Sequence, residues 1–243
     1  MRYRHEWKHE ISWSDLLCIR QRLRAVAQPD PYTIGGKTLI RSLYFDDAAD
    51  SALREKIDGV NMREKYRIRY YNGDPSFIKL EKKSKRNGLG TKYAAQLTAA
   101  EAQAIVDGDL EWMREEMLKP SEPDLPEGGL ESQKIGPYRR ELVGELYSRM
   151  QGKGLRPKTI VDYTREPFVY APGNVRVTFD YDIRTGLSCT DLLDPDCPTI
   201  PAGNGEIILE VKWDAYLPSI IRDCVETPGR RATAFSKYAI CRM

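Results

Sequence analysis

Apolar and polar residues alternate with a period of two in several stretches of this chain, and that period marks a strand with one face in a core. The densest example spans residues 62–92. Arg63, Lys65, Arg67 and Arg69 fall on one face, with Tyr66, Ile68 and Tyr70 on the other. Asn72-Gly73-Asp74-Pro75 supplies a turn, because Gly tolerates positive φ, Asn and Asp bond their own backbone, and Pro presets φ. The following strand sets Phe77, Lys79, Glu81 and Lys83 against Ile78 and Leu80, and residues 92–97 read as a third strand.

The same pattern recurs along the chain. Over residues 3–11, Arg4, Glu6, Lys8 and Glu10 oppose Tyr3, His5, Trp7, His9 and Ile11. Residues 38–45 and 159–165 read as strands. Residues 175–182 set Arg176, Thr178, Asp180 and Asp182 against Val175, Val177, Phe179 and Tyr181, and residues 207–212 set Glu210 and Lys212 against Ile207, Leu209 and Val211.

Helical signals fall between these strands. Ser12 followed by Asp15 opens a helix to about residue 26, with Leu16, Ile19, Leu23 and Val26 on one stripe. Residues 48–57 read as a short helix ended by Asp58-Gly59. Thr98 and Glu101 form a capping box for a helix to about residue 106. Further helices are expected at 110–118, at 137–150 with Pro near the start, and around 218–225. Residues 120–129 read as a surface loop rather than a linker, because neither side has the patterning to close a core alone. The expectation is therefore one domain over residues 1–243.

Charge changes the picture locally. The chain carries a formal net charge of only +2 over 243 residues, yet ten Lys or Arg stand against three acids between Arg63 and Lys92. Such focused basicity fits an anion site better than a general nucleic-acid coat. If the sheet closes with its apolar face outward under helices, the basic face lines an interior tunnel whose self-repulsion favours a bound polyanion. The alternative is a solvated face of a surface sheet.

Other chemistry is sparse. No apolar run approaches a membrane span and the N-terminal residues are too polar for a signal peptide, so a cytoplasmic location is expected. Five cysteines without a C-x-x-C pair read as reduced and structural. His5-Glu6-Trp7-Lys8-His9 matches the H-E-x-x-H zinc pattern, but that chemistry needs a helix and this segment reads as a strand. Asn87-Gly88-Leu89-Gly90-Thr91-Lys92 lacks P-loop spacing and reads as a turn. No Ser-His-Asp or Cys-His arrangement has support.

Seven short motifs carry a resemblance. His5-Glu6-Trp7-Lys8, Ser42-Leu43-Tyr44-Phe45-Asp46, Arg67-Ile68-Arg69-Tyr70, Leu80-Glu81-Lys82-Lys83, Val175-Arg176-Val177-Thr178-Phe179-Asp180, Leu209-Glu210-Val211-Lys212 and Phe235-Ser236-Lys237-Tyr238 occur in the order seen in the VTC domain of polyphosphate polymerases. That domain is a branch of the triphosphate tunnel metalloenzymes, or CYTH-like superfamily. The resemblance implies an α+β fold built on an antiparallel β-tunnel, a closed barrel with a charged lumen surrounded by helices. It also implies a phosphotransferase that moves the γ-phosphoryl group of ATP or another triphosphate onto polyphosphate.

Carried over by position, Lys8, Lys56, Arg67, Arg69, Lys83, Lys92, Arg165, Arg176 and Lys237 resemble phosphate ligands. Glu210 resembles the ligand of Mn2+ or Mg2+, and Lys8, Arg67, Arg69, Lys83, Arg176 and Glu210 form the implied catalytic set. Two departures bear on activity. The hydrolytic branch begins Glu-x-Glu-x-Lys where this chain has Arg4-His5-Glu6-Trp7-Lys8, which favours the polymerase branch. Polymerases can carry a lysine before Phe-Ser-Lys, where this chain has Ala234, with Arg230 and Arg231 nearby. The rival readings are a metal-dependent triphosphatase in the same tunnel, a non-catalytic polyanion-binding module, and an RNA-binding sheet stacking bases on Tyr66, Tyr70 and Tyr71. Nucleic acid is not the expected partner, and a membrane partner encoded elsewhere is conceivable from the family's membrane-linked members.

Overall fold

The alternating segments assemble into one antiparallel sheet. The computed structural model describes residues 4–86, 89–119, 138–227, 229 and 234–243. Its strands are β1 (His5–Ile11), β2 (Gln28–Pro29), β3 (Thr38–Asp46), β4 (Met62–Tyr71), β5 (Asp74–Arg86), β6 (Leu89–Leu97), β7 (Arg156–Tyr170), β8 (Val175–Thr185), β9 (Ile200–Pro201) and β10 (Ile207–Trp213). The spatial order is β1-β10-β8-β7-β3-β4-β5-β6, with β2 on β7 and β9 on β8. Among the described residues β1 and β6 do not pair, so the expected closed barrel is a curled half-barrel whose two edges are not joined by a ladder.

The basic hairpin forms as its pattern dictates. Asn72 (φ 54°) and Gly73 (φ 71°) both adopt the left-handed conformation that a two-residue turn matched to strand twist requires. Asn72 also accepts a hydrogen bond from the Leu39 amide through its side-chain oxygen at 2.9 Å, tying the turn to β3. Lys65 then faces Lys83, Arg67 faces Glu81, and Arg69 faces Lys79.

The other face of the hairpin is covered by helices. Tyr66, Ile68, Tyr70, Ile78 and Leu80 pack with Ala102 and Ile105 of α3 (Ala99–Asp107), Met113 of α4 (Glu111–Leu118), and Leu142, Val143, Leu146 and Met150 of α5 (Arg139–Gly152). Each such side chain contributes about 1.5–3 kcal/mol by leaving water. A second outer core joins Val177, Phe179, Leu209 and Val211 to Leu16, Ile19 and Leu23 of α1 (Trp13–Val26) and Ile221 of α6 (Ser219–Cys224). The predicted capping box of Thr98 with Glu101 forms, and the expected helix start at Ser12 is a second box with Asp15.

The inner face has an apolar end of its own. Ile40, Tyr44, Val161 and Tyr163 pack against Leu53 of α2 (Ser51–Ile57) and Tyr238 and Ala239 of α7 (Lys237–Ile240). Asp46 organises this end. Its Oδ1 accepts from the amides of Asp47 and Ala52 (both 2.9 Å), and its Oδ2 accepts from the Leu53 amide (3.1 Å) and the Tyr238 hydroxyl (2.6 Å).

Several boundaries differ from expectation. Strand β7 extends well beyond 159–165, through Pro157 and Pro167. Pro157 lies at a register shift opposite β3, and Pro167 lies where β7 passes from β3 to β2, so neither removes a needed ladder bond. Helix α2 starts at Ser51 rather than 48, because the Asp47 side chain turns the chain by accepting from the Ala49 and Ser51 amides. Asp182 leaves the charged face at a bulge, with φ 51°. The expected loop at 120–129, Pro137, Tyr3, Asn87, Gly88, Arg230 and Arg231 lie outside the described residues, while residues 89–92 of the expected turn at 87–92 belong to β6. All five cysteines are free thiols. Among the described residues no helix is long and apolar enough to cross a membrane.

Candidate phosphate site on the inner face

The site begins at the hairpin, where alternation places Arg67 and Arg69 on the inner face. Glu81, 1% exposed, takes Arg67 Nε at 2.6 Å and Nη2 at 2.5 Å, and Lys92 reaches its other oxygen at 2.6 Å. Arg67 also donates to the Tyr44 hydroxyl at 2.9 Å. Arg69 donates to Ser42 and to the Tyr163 hydroxyl, each at 3.0 Å. Burial raises the Glu81 pKa, but Arg67, Arg69 and Lys92 outweigh it and hold the carboxyl well below the usual range. Tyr44 shows the same balance: burial pushes its phenol up, while Arg67, Lys65 and Arg69 bring it down to about 7.

A second group comes from the strands at the other end of the order. Arg165 on β7 grips Asp180 on β8 through two bonds of 2.6 and 2.7 Å, and Lys237 of α7 joins the same carboxylate at 2.5 Å. Lys237 also lies 4.5 Å from the centre of the Tyr163 ring, a cation–π contact. Glu210 on β10 meets Lys212 at 2.9 Å, Arg165 at 3.5 Å and Lys8 of β1 at 3.6 Å. Lys8 in turn bonds Glu6 at 2.5 Å.

These two groups face one another. Five strand-to-strand steps separate β5 from β10 in the sheet order, about 24 Å in a flat sheet. Yet Lys83 of β5 is held well below the ordinary lysine range, first by burial and then by Lys212, Arg67 and Lys8, with Glu210 opposing. Groups that far apart in a flat sheet would be screened from each other. The curl of the sheet brings Lys83 within electrostatic reach of Lys212, Lys8 and Glu210. Lys65 responds likewise, lowered to about 8 by burial and by Arg67, Lys8 and Lys56, against an opposing contribution from Tyr44.

Most of the residues singled out from sequence therefore meet. Lys8, Arg67, Arg69, Lys83, Arg165, Lys237 and Glu210 surround the interior, and Lys92, 49% exposed, reaches it through Glu81. Lys56 lies at the margin on α2, donating to the Ala234 carbonyl at 2.7 Å while still sensing Lys8. Arg176 is set apart: it faces Lys212 in register, but its side chain is 39% exposed and its guanidinium is tied to Asp30 at 2.6 Å. That partner lies just after β2, which the sequence patterning does not reveal.

Other residues complete the site. Glu81, Asp180, Glu6 and Lys212 share its alternating faces, so period two could have found them. Tyr44 and Tyr163 sit in runs that read as apolar, and only the fold shows their hydroxyls accepting from arginines.

Among the described residues no three His, Cys, Asp or Glu side chains converge. His5 and His9 lie on strand β1 with Glu6 on the opposite face, so H-E-x-x-H does not assemble a zinc site. Glu210 is held well below the carboxylate range: burial raises it, while Lys212, a hydrogen bond shared with Glu6, Lys8 and Arg165 together win. Two hard oxygen donors side by side fit Mg2+ or Mn2+, which take one or two carboxylates and complete their shell with water and substrate phosphate.

Comparisons with known proteins follow from this arrangement. No curated protein matches the chain. Among solved structures, it is similar to an adenylate-cyclase candidate from Bacillus halodurans, at 12% identity and a TM-score of 0.47 over 87% of this chain and 80% of that one. It is also similar to the PH1819 protein of Pyrococcus horikoshii, at 13% identity and a TM-score of 0.41 over 92% of this chain and 84% of that one. The VTC domain model matches residues 3–243, and the chain belongs to the VTC domain family.

Proposed function

We propose that this protein binds a triphosphate within the basic interior of its half-barrel and transfers the γ-phosphoryl group to a polyphosphate chain. The observation that carries the reading is the convergence of Lys8, Arg67, Lys83, Arg165 and Lys237, from β1, β4, β5, β7 and α7, around one interior. Phosphoryl transfer asks little covalent chemistry of a protein. Positioning and charge stabilisation suffice.

Arg67, Arg69 and Arg165 present planar donors suited to phosphate oxygens, and Lys8, Lys83 and Lys237 add point charges. Glu210, with Glu6 beside it, would hold Mn2+ or Mg2+, which supplies Lewis-acid stabilisation of the transferring group when bound. In the free protein Glu81, Asp180 and Glu210 pair with Arg67, Arg69, Arg165, Lys8 and Lys237. An entering phosphate chain exchanges those contacts for its own, so binding weakens as salt rises.

A second reading, triphosphate hydrolysis, is favoured by one arrangement, the two carboxylates of Glu6 and Glu210 that share Lys8 at 2.5 and 3.6 Å. It keeps two acids together although Arg4, which stands where the hydrolytic pattern has an acid, pairs with Asp214 at 3.0 Å. Incubation with ATP and Mn2+ separates the readings. Chains of phosphate resolved on a gel mean transfer, and free phosphate without chains means hydrolysis. Polyphosphate binding without either product means a binding module.

A further inference from the structure

We propose that Lys65 and Lys83, which lie together with Arg67 and Glu81 on the inner face, form a single phosphate-gripping pair, which makes Lys65 a phosphate-binding residue. The inference rests on the phosphate-transfer reading and adds a residue that none of the recognised motifs assigns.

Register supplies the first argument. Lys65 of β4 stands directly opposite Lys83 of β5, and Lys83 stands opposite Lys92 of β6. Directly opposed residues of an antiparallel pair have Cβ atoms about 4.5–5.5 Å apart, and like charges at that spacing oppose folding. Of the groups facing Lys65, Tyr44 offsets this only in part, and the others add to it. These groups are the Tyr44 ring of β3, with its centre 5.9 Å from the ammonium, and the cations Arg67, Lys8, Lys56 and Lys83.

The second argument is the disposition of the acids. Glu81 is engaged by Arg67, Arg69 and Lys92, Asp180 by Arg165 and Lys237, and Glu210 by Lys8, Lys212 and Arg165. Among the described residues neither Lys65 nor Lys83 makes an ion pair with a carboxylate. A non-bridging phosphate oxygen between the two ammonium groups satisfies both and removes their repulsion. A phosphoanhydride chain offers such oxygens on every phosphorus.

The pairing leaves a signature in protons. In the free protein Lys65 is lowered to about 8, so at pH 8 about half of it is neutral, and a bound phosphate restores the ammonium. Calorimetry of inorganic tripolyphosphate binding at pH 8, in two buffers of different ionisation enthalpy, should show about half a proton more net uptake by wild type than by a variant without Lys65, a difference in which the ligand's own protons cancel. Lys65→Met should weaken binding about tenfold or more and remove about half a proton of uptake, while Lys65→Arg restores affinity without restoring uptake. Lys79→Met is the control: Lys79 shares this face but lies over the rings of Tyr71 and Phe77, and its loss should cost less than Lys65 does.

Wild type and Lys65→Met that take up the same net number of protons at pH 8 overturn the pairing. So does a Lys65→Met variant that binds like wild type, or a Lys79→Met variant that loses as much affinity. Wild-type protein that binds no tripolyphosphate overturns instead the functional reading on which the pairing stands.

Discussion

Arg67 and Glu81 stand opposite each other on β4 and β5, joined by contacts of 2.6 and 2.5 Å, with the carboxylate 1% exposed. The same carboxylate serves Lys92 at 2.6 Å and lies 3.9 Å from Arg69. A buried acid thus holds together the cations proposed to receive phosphate. Glu81→Gln leaves them uncompensated and should cost about 3–5 kcal/mol in urea denaturation. Added tripolyphosphate should recover part of that loss by supplying the missing charge, raising the denaturation midpoint more in the variant than in wild type.

Glu210 should separate binding from turnover. Glu210→Gln removes an acid from beside Lys8, Lys212 and Arg165, so metal-free tripolyphosphate should bind at least as tightly as to wild type. Mn2+-dependent turnover of ATP should fall about a hundredfold or more. Equal turnover in the two proteins would remove Glu210 from the proposed metal site.

Asp180 gives a pH limb. Its carboxyl is fully buried; burial raises its pKa, but Arg165 and Lys237 overcome this and hold it at about 2. The folded value lies below the unfolded one of about 3.9, so the stabilisation is complete above pH ~4 and disappears as pH falls toward 2. It amounts to roughly 2–3 kcal/mol. Denaturation midpoints measured from pH 6 to pH 2 should fall more steeply for wild type than for Asp180→Asn, whose stability at neutral pH is lower from the outset.

Asp46 should link two helices that each carry a candidate phosphate ligand, Lys56 on α2 and Lys237 on α7. It accepts three backbone amides and the Tyr238 hydroxyl. Asp46→Ala removes all four bonds, at about 3 kcal/mol or more. Hydrogen exchange should quicken in both helices together. Faster exchange in α2 alone would show that α7 is anchored by Lys237 and Arg242 instead.

Much of this was legible in the chain because a half-buried strand writes its two faces with period two. That rule oriented Lys65, Arg67, Arg69, Lys79, Glu81 and Lys83 inward and Tyr66, Ile68, Tyr70, Ile78 and Leu80 under helices. It also put Glu210 beside Lys212. The rule fails where ladders are irregular: Pro157 and Pro167 hid the true length of β7, and the bulge at Asp182 ended a face early. It is also blind to partners brought by the chain's path. The capture of Arg176 by Asp30, the docking of Lys56 on the Ala234 carbonyl and the open sheet edges at β1 and β6 all arise from tertiary contacts.

The central claim is that the inner basic face binds a phosphate chain, and paired binding titrations test it most directly. Long-chain polyphosphate and single-stranded RNA are each titrated into wild type and into the Arg67→Gln, Arg69→Gln double variant. The account predicts tight polyphosphate binding by wild type, weakened about a hundredfold or more in the double variant and reduced by added salt. RNA bound equally well by both proteins, with no affinity for polyphosphate in either, would contradict it.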